Sequence, residues 1–208
     1  AGFDALRALD LQPCRPFDRD RQGLSLGEGA AALVLENAAH ARARGAPILG
    51  WLLGWATTTD AYHVTAPHPD GVGAVQALRA ALADAGRDAA AIDYVNAHGS
   101  GTPQNDDIEV AALRTVLGAR LARVPVSSSK SQVGHTLAAA GAIEAVITLV
   151  AMQQGVLPPT VHLTDPEWAD LDFVPAPGRR AQVGVAASSS YGFGGHNVTL
   201  ILAHAEAA

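Results

Sequence analysis

The chain has 208 residues, 49% of them hydrophobic, with 14 basic and 20 acidic side chains and a formal net charge of −6. That size and apolar content suffice for one domain with a real core, and the acidic balance without any basic run argues against nucleic acid or a membrane surface as partner. The single cysteine, Cys14, can form neither an internal disulfide nor a structural zinc site, which fits a reducing, cytoplasmic compartment. A start at Ala1 without methionine or signal-peptide pattern fits processing, truncation or the second half of something longer.

In chain order, Gly27 to Glu36 reads as a glycine-led turn feeding a buried strand. Asn37 then caps a short helix through Arg44, closed by Gly45. Ile48 to Thr58 reads as a strand, and Asp60 to Gly73 as a polar loop holding His63 and His68. From Val72, apolar residues recur at helical spacing until Gly86. Ile92 to Ala97 is a short strand running into His98. Gln104 to Leu117 is a helix opened by Thr102-Pro103, with Asp106, Asp107 and Glu109 in its first turns, where the helix dipole favours acids. Arg123 to Ser127 is strand, and Thr136 to Gln154 a helix. Leu171 to Val174, Val183 to Ser190 and Val198 to Leu202 close the chain as strands, the last two a hairpin-like pair around a glycine-rich turn. Alternating helices and strands that finish antiparallel predict an α/β layered fold with a mixed sheet. The apolar run Leu137 to Met152 is slightly short for a membrane span and carries Glu144. It is expected to be buried on every side in a soluble core.

Of the fourteen basic side chains, thirteen are arginine and one is lysine, Lys130. A lone lysine in an arginine-rich composition points to a site that needs a compact ammonium rather than a planar fork. Lys130 lies in Ser128-Ser129-Lys130-Ser131, five residues before Gly134-His135. A second motif, His98-Gly99-Ser100-Gly101-Thr102, follows a predicted strand, where loops of α/β folds carry function. A third, Gly192-Phe193-Gly194-Gly195, is a flexible turn suited to a movable gate or to backbone N–H donors. Singly, each is an ordinary loop; together at strand ends they suggest a catalytic constellation whose nucleophile lies elsewhere. Cys14, between Pro13 and Arg15-Pro16, has no helix start beside it to activate a thiol.

The combination resembles the C-terminal half of a β-ketoacyl-[acyl-carrier-protein] synthase of the elongating, thiolase-fold kind. The resemblance rests on Arg15-Pro16-Phe17-Asp18, Gly27-Glu28-Gly29-Ala30, Asp60-Ala61-Tyr62-His63, Val95-Asn96-Ala97-His98-Gly99, Lys130-Ser131, Gly134-His135, Ala139-Ala140-Gly141 with Glu144, Pro158-Pro159-Thr160 and Gly192-Phe193-Gly194-Gly195 with Asn197. It implies a thiolase-like fold with a mixed five-stranded sheet and a buried central helix, residues 1–208 forming the C-terminal domain. It further implies an N-terminal half that carries the nucleophilic cysteine, which Cys14 is not.

By that resemblance His98, His135, Lys130 and Glu144 form the decarboxylation site, with Lys130 depressing histidine pKa and Glu144 as its partner. Ser100, Thr102 and Thr65 would bind the phosphopantetheine arm of an acyl carrier protein. Phe193 and Phe3 would line the acyl pocket, and Asp60, His63, Gly192 and Gly194 would belong to the gate. Arg7 would face the carrier protein. Neither a metal nor a bound cofactor is implied, and the assembly would be a homodimer or a ketosynthase heterodimer. The sequence departs from the family pattern at Ser100, Ala138 and His196, and in a short loop from Asp10 to Arg15. Two other readings are a non-catalytic chain-length-factor-like subunit and a metal-dependent hydrolase using Asp60, His63, His68, His98 and His135.

Overall fold

The computed structural model describes residues 2–206. Its helices and strands are, in order, α1 (Gly2–Ala5), α2 (Ala38–Ala43), β1 (Gly50–Thr59), α3 (Val72–Asp84), β2 (Tyr94–Asn96), α4 (Pro103–Leu117), β3 (Val126–Ser127), α5 (Lys130–Val133), α6 (Ala140–Gln154), β4 (Val156–Leu157), β5 (Arg179–Arg180), β6 (Val185–Gly192) and β7 (His196–His204). Five strands form one mixed sheet in the order β1-β7-β6-β2-β3. The hairpin β6/β7 and the pair β1/β7 are antiparallel, and β2 runs parallel to both β6 and β3. The short pair β4/β5 stands apart.

Local chemistry sets most boundaries as expected. The Asn37 carboxamide oxygen accepts the Ala39 N–H at 2.9 Å and starts α2. Pro103 occupies the first turn of α4, where its missing N–H costs nothing. Sheet alternation then separates two cores. Ala187 and Ile201 face α3 and α4, joining Leu78, Ala81, Val110, Leu113 and Leu117. Their neighbours Ala186 and Leu202 face α6, joining Tyr94, Ala145 and Met152. The result is three layers: α3 and α4, the sheet, then α6.

Three expectations need correction. Residues 30–36 make no strand pairing among the described residues; Val34 is 84% and Leu35 73% exposed. A run with strand-forming side chains needs a neighbouring strand for its backbone groups, and the described residues offer none there. The helix expected to be covered all round is covered on one face. Glu144, Ala145, Thr148, Ala151 and Met152 are buried in α6, whereas Leu137 and Val150 are about half exposed. By length and composition residues 137–154 could also cross a membrane, but their buried face carries a carboxylate and packs on the sheet. Finally, Leu171 to Val174 makes a single bridge, Val126 with Phe173, rather than a strand.

Candidate active site

The chain leaves β2 at Asn96 and enters the first motif at the carboxyl end of the strand. The Glu109 carboxylate in α4 gathers this loop by accepting the His98 N–H at 2.8 Å and the Gly99 N–H at 2.7 Å. One turn earlier, Asp106 accepts the Gly101 N–H at 3.2 Å and the Phe17 N–H at 2.9 Å. Both acids are fully buried. Arg21, itself buried beneath Trp168, lies 3.6 Å from Asp106 and also pairs with Asp107 and Glu167. Burial pushes the Glu109 carboxyl up to about 8, against the pull of its two backbone donors.

Lys130 opens the single turn of α5 and is 1% exposed. Its ammonium donates to the His98 carbonyl oxygen at 2.6 Å and forms an ion pair with Glu144. An ammonium this deep needs such a partner, because burying it unpaired is costly. Burial alone raises the Glu144 carboxyl, and the Lys130 ammonium pulls it back. The Asn96 amide donates to the Glu144 carbonyl oxygen at 3.2 Å and to Thr148 Oγ1 at 2.9 Å, which ties β2 to α6.

His135 is placed by a close crossing of two backbones. Its N–H donates to the Ser25 carbonyl at 2.7 Å, and the Gly27 N–H donates to the His135 carbonyl at 3.1 Å. A Cβ on Gly27 would lie 2.1 Å from the Val133 carbonyl oxygen, and Gly134 sits at φ +72°, so this crossing requires glycine on both sides. Inside the site, His135 Nδ1 accepts the Leu137 N–H at 3.1 Å. That bond fixes the tautomer, leaving the neutral ring with its proton on Nε2.

The His98 and His135 rings stand 5.3 Å apart at 80°. Burial first, then the Lys130 charge and then His135, hold the His98 imidazole well below its usual value. Burial, with Lys130 second, brings His135 down to about 4. The expected direction is found, but its leading cause is desolvation rather than the cation. Both rings are therefore neutral N–H donors at neutral pH.

Around this centre, the Phe3 and Phe193 rings lie 5.8 Å apart, with Phe193 48% exposed. The turn carrying Phe193 is latched to the 60–68 loop. Gly194 N–H donates to the Val64 carbonyl at 2.7 Å, and Asp60 N–H to the Gly195 carbonyl at 2.8 Å. The Asp60 carboxylate accepts from the Asn197 amide and from the His68 N–H, each at 2.8 Å. His63 Nδ1 accepts the Thr65 and Ala66 N–H groups at 3.1 Å, closing the loop's outer bend. Gly194 takes φ +82°, while Gly192 has open space around it. Ser100 and Thr102 hydroxyls bond each other at 2.8 Å. Arg7 is exposed beyond α1.

Cys14 is buried behind the site, donating to the Lys130 carbonyl oxygen at 3.3 Å, and burial pushes its thiol up. A buried neutral thiol is no nucleophile. Asp60, His63 and His68 do not converge with the two central histidines, and among the described residues no three His, Cys, Asp or Glu side chains are grouped to hold a metal ion. Sequence reasoning missed Arg21, Asp106, Glu109 and Tyr191. For the two acids a signal was present: positions 106, 109, 110, 113 and 117 form one buried helical stripe, and acids inside such a stripe are not surface residues.

Sheet, flanking helices and paired imidazoles define a thiolase-like α/β architecture. Family models place it further: "Beta-ketoacyl synthase, C-terminal domain" matches residues 49–164 and "Beta-ketoacyl synthase, N-terminal domain" matches residues 1–41. The chain belongs to the beta-ketoacyl synthase family. It is 48% identical over 207 residues to the 3-oxoacyl-[acyl-carrier-protein] synthase 2 of Synechocystis sp., covering 96% of this chain and 50% of that protein. The corresponding synthase of Rhizobium meliloti is 45% identical, with coverages of 97% and 50%. Among solved structures, the type II ketosynthase complex AntDE:AntF aligns with a TM-score of 0.93 and 36% identity, over 98% of this chain and 52% of that one. The ishigamide ketosynthase/chain length factor aligns at 0.92 and 40% identity, over 97% and 49%. The chain thus spans about half the length of the curated relatives it matches.

Proposed function

We propose that this chain supplies the decarboxylation half of a β-ketoacyl-[acyl-carrier-protein] synthase, an acyltransferase. The observation that carries this reading is the pair of neutral imidazoles, His98 and His135, 5.3 Å apart and seated over a buried Lys130–Glu144 pair. In the reaction, a cysteine thiolate in the N-terminal half holds the acyl chain as a thioester. Malonyl-carrier protein then enters, and its carboxylate leaves as carbon dioxide, with the C–C bond pair becoming an enolate. The two imidazole N–H groups donate to the thioester oxygen as its charge grows. The enolate carbon attacks the acyl thioester, the cysteine thiolate departs, and a β-ketoacyl thioester two carbons longer remains on the carrier. Neutral rings suit this role better than imidazolium, because an imidazolium would pass its proton to the enolate and quench the carbon nucleophile.

The same reading assigns the periphery. Ser100, Thr102 and Thr65 hydroxyls hold the phosphopantetheine arm, and Phe193 with Phe3 bounds the acyl chain. Asp60, His63, Gly192 and Gly194 belong to the latched turn that admits it, the Phe193 N–H serves the oxyanion hole, and exposed Arg7 meets an acidic carrier protein. The N-terminal half covers Val34, Leu35, Leu137 and Val150, and a dimer with a second ketosynthase or a chain length factor completes a cytoplasmic enzyme.

A second reading is a non-catalytic chain-length-factor-like subunit, which a solved neighbour containing such a factor favours. His98, Lys130 and His135 weigh against it, since a subunit without chemistry has no use for a buried cation that cross-links two histidine loops. The test is malonyl-carrier-protein decarboxylation by this chain assembled with its N-terminal half. Release of carbon dioxide that is lost in His98→Ala and in His135→Ala supports the synthase. Release unchanged by both substitutions, or none from the assembled protein, removes it.

A further inference from the structure

The main chain of His98 is held from both sides, by Glu109 at its N–H and by Lys130 at its carbonyl. Its imidazole is held differently. His98 Nδ1 is buried without a hydrogen-bond partner, so no polar contact at that nitrogen sets the ring's rotation. Packing against neighbouring rings then bears on its orientation. Two aromatic rings pack on it: His135, and Tyr191, whose ring lies 5.5 Å from the His98 ring at 52°.

Tyr191 is well anchored for such a task. It sits in β6 with Asn197 of β7 as its cross-strand partner, and Asn197 in turn holds Asp60. Burial, with the Glu109 and Asp60 carboxylates adding to it, keeps the phenol neutral across the physiological range. Two residues further on, the chain reaches Phe193 at the latched turn. The same side chain therefore touches the ring and leads into the entrance.

We propose that Tyr191 is the positioning residue for the His98 imidazole, its ring forming the wall that fixes the direction of the His98 N–H. The proposal rests on the reading of His98 as a donor to a developing oxyanion. A ring role predicts that phenylalanine substitutes for tyrosine and alanine does not. In assembled protein labelled with 15N-histidine, Tyr191→Phe should keep one His98 tautomer with unchanged ring shifts, whereas Tyr191→Ala should show two tautomers in exchange. His135 is the internal control, since the Leu137 N–H fixes its tautomer independently.

In turnover, Tyr191→Ala should lower kcat for malonyl decarboxylation about tenfold to a hundredfold, as a misplaced group does. KM and acyl transfer to the thiol should stay within about twofold by the same argument, and Tyr191→Phe should recover the rate. A His98 spectrum unchanged in Tyr191→Ala overturns the proposal. So does simultaneous loss of the His98 and His135 signatures, which would mark a general structural role. If the spectra behave as expected but no variant, nor the parent, decarboxylates a malonyl thioester, the seat stands and the functional reading fails.

Discussion

The Lys130 ammonium lies 2.6 Å from the His98 carbonyl oxygen, although 32 residues separate them in sequence. With Glu144 on its other side, one cation joins the loop after β2, the turn of α5 and the first turns of α6. The contact explains why the chain keeps a lysine where every other basic residue is arginine. A guanidinium is a planar fork, while a carbonyl and a carboxylate converging in a dry space suit a compact ammonium.

Lys130→Ala should therefore destabilise the folded chain by about 3–5 kcal/mol, because it strands a buried carboxylate. The double variant Lys130→Met/Glu144→Leu should be markedly more stable than Lys130→Ala, since no uncompensated charge remains. Urea unfolding of the three proteins measures this; equal losses would mean that the pair is not coupled.

Acid should unfold the protein through its histidines. His98 and His135 are depressed in the folded state, His135 to about 4, against about 6.5 when unfolded. Between those values the unfolded chain binds more protons than the folded one, so stability rises with pH there. The contribution is complete above about 6.5 and is lost as pH falls toward 4. Because the raised Glu109 carboxyl acts in the opposite sense over the same window, the readout is a difference: from pH 6.5 to 4 the urea midpoint of the parent should fall relative to that of His135→Gln. Decarboxylation should likewise show no acid limb at about 6.5, the ordinary imidazole value.

Glu109 receives two backbone N–H groups in one buried carboxyl group. Glu109→Gln keeps one acceptor oxygen and should cost about 1–3 kcal/mol; Glu109→Leu strands both donors and should cost about twice that. Thermal unfolding ranks them, and a leucine variant as stable as the parent would show that water replaces the carboxylate.

Val34 should behave as a surface residue in this chain and as a core residue in the assembly. At 84% exposure, Val34→Lys should shift the stability of the isolated chain by no more than about 0.5 kcal/mol. Yet it should weaken pull-down of the N-terminal half. Unimpaired capture would place the covering surface elsewhere.

How much of this was legible follows from where the information resides. Asn37, Gly86 and Pro103 act on their own neighbours, and the elements they bound were predictable to within a few residues. The paired histidines and Lys130 were found because three motifs fell at strand ends. The segment Ala30 to Glu36 has the composition of a strand, but a strand is a relation between two segments, and among the described residues nothing pairs with its backbone. Asp106 and Glu109 were read as acids complementing a helix dipole; only the fold reveals that their face of α4 points at the His98 loop. Tyr191 carried no sequence signal at all, since its importance lies in a ring contact across the sheet with a residue 93 positions away.

Cys14 gives the molecule its own gauge of how often the site comes apart. Its sulfur is buried and donates to the Lys130 carbonyl oxygen, so a thiol reagent reaches it only when the structure around α5 opens. In the isolated chain, the labelling rate of this thiol divided by that of a free cysteine reads the fraction of time the region is open.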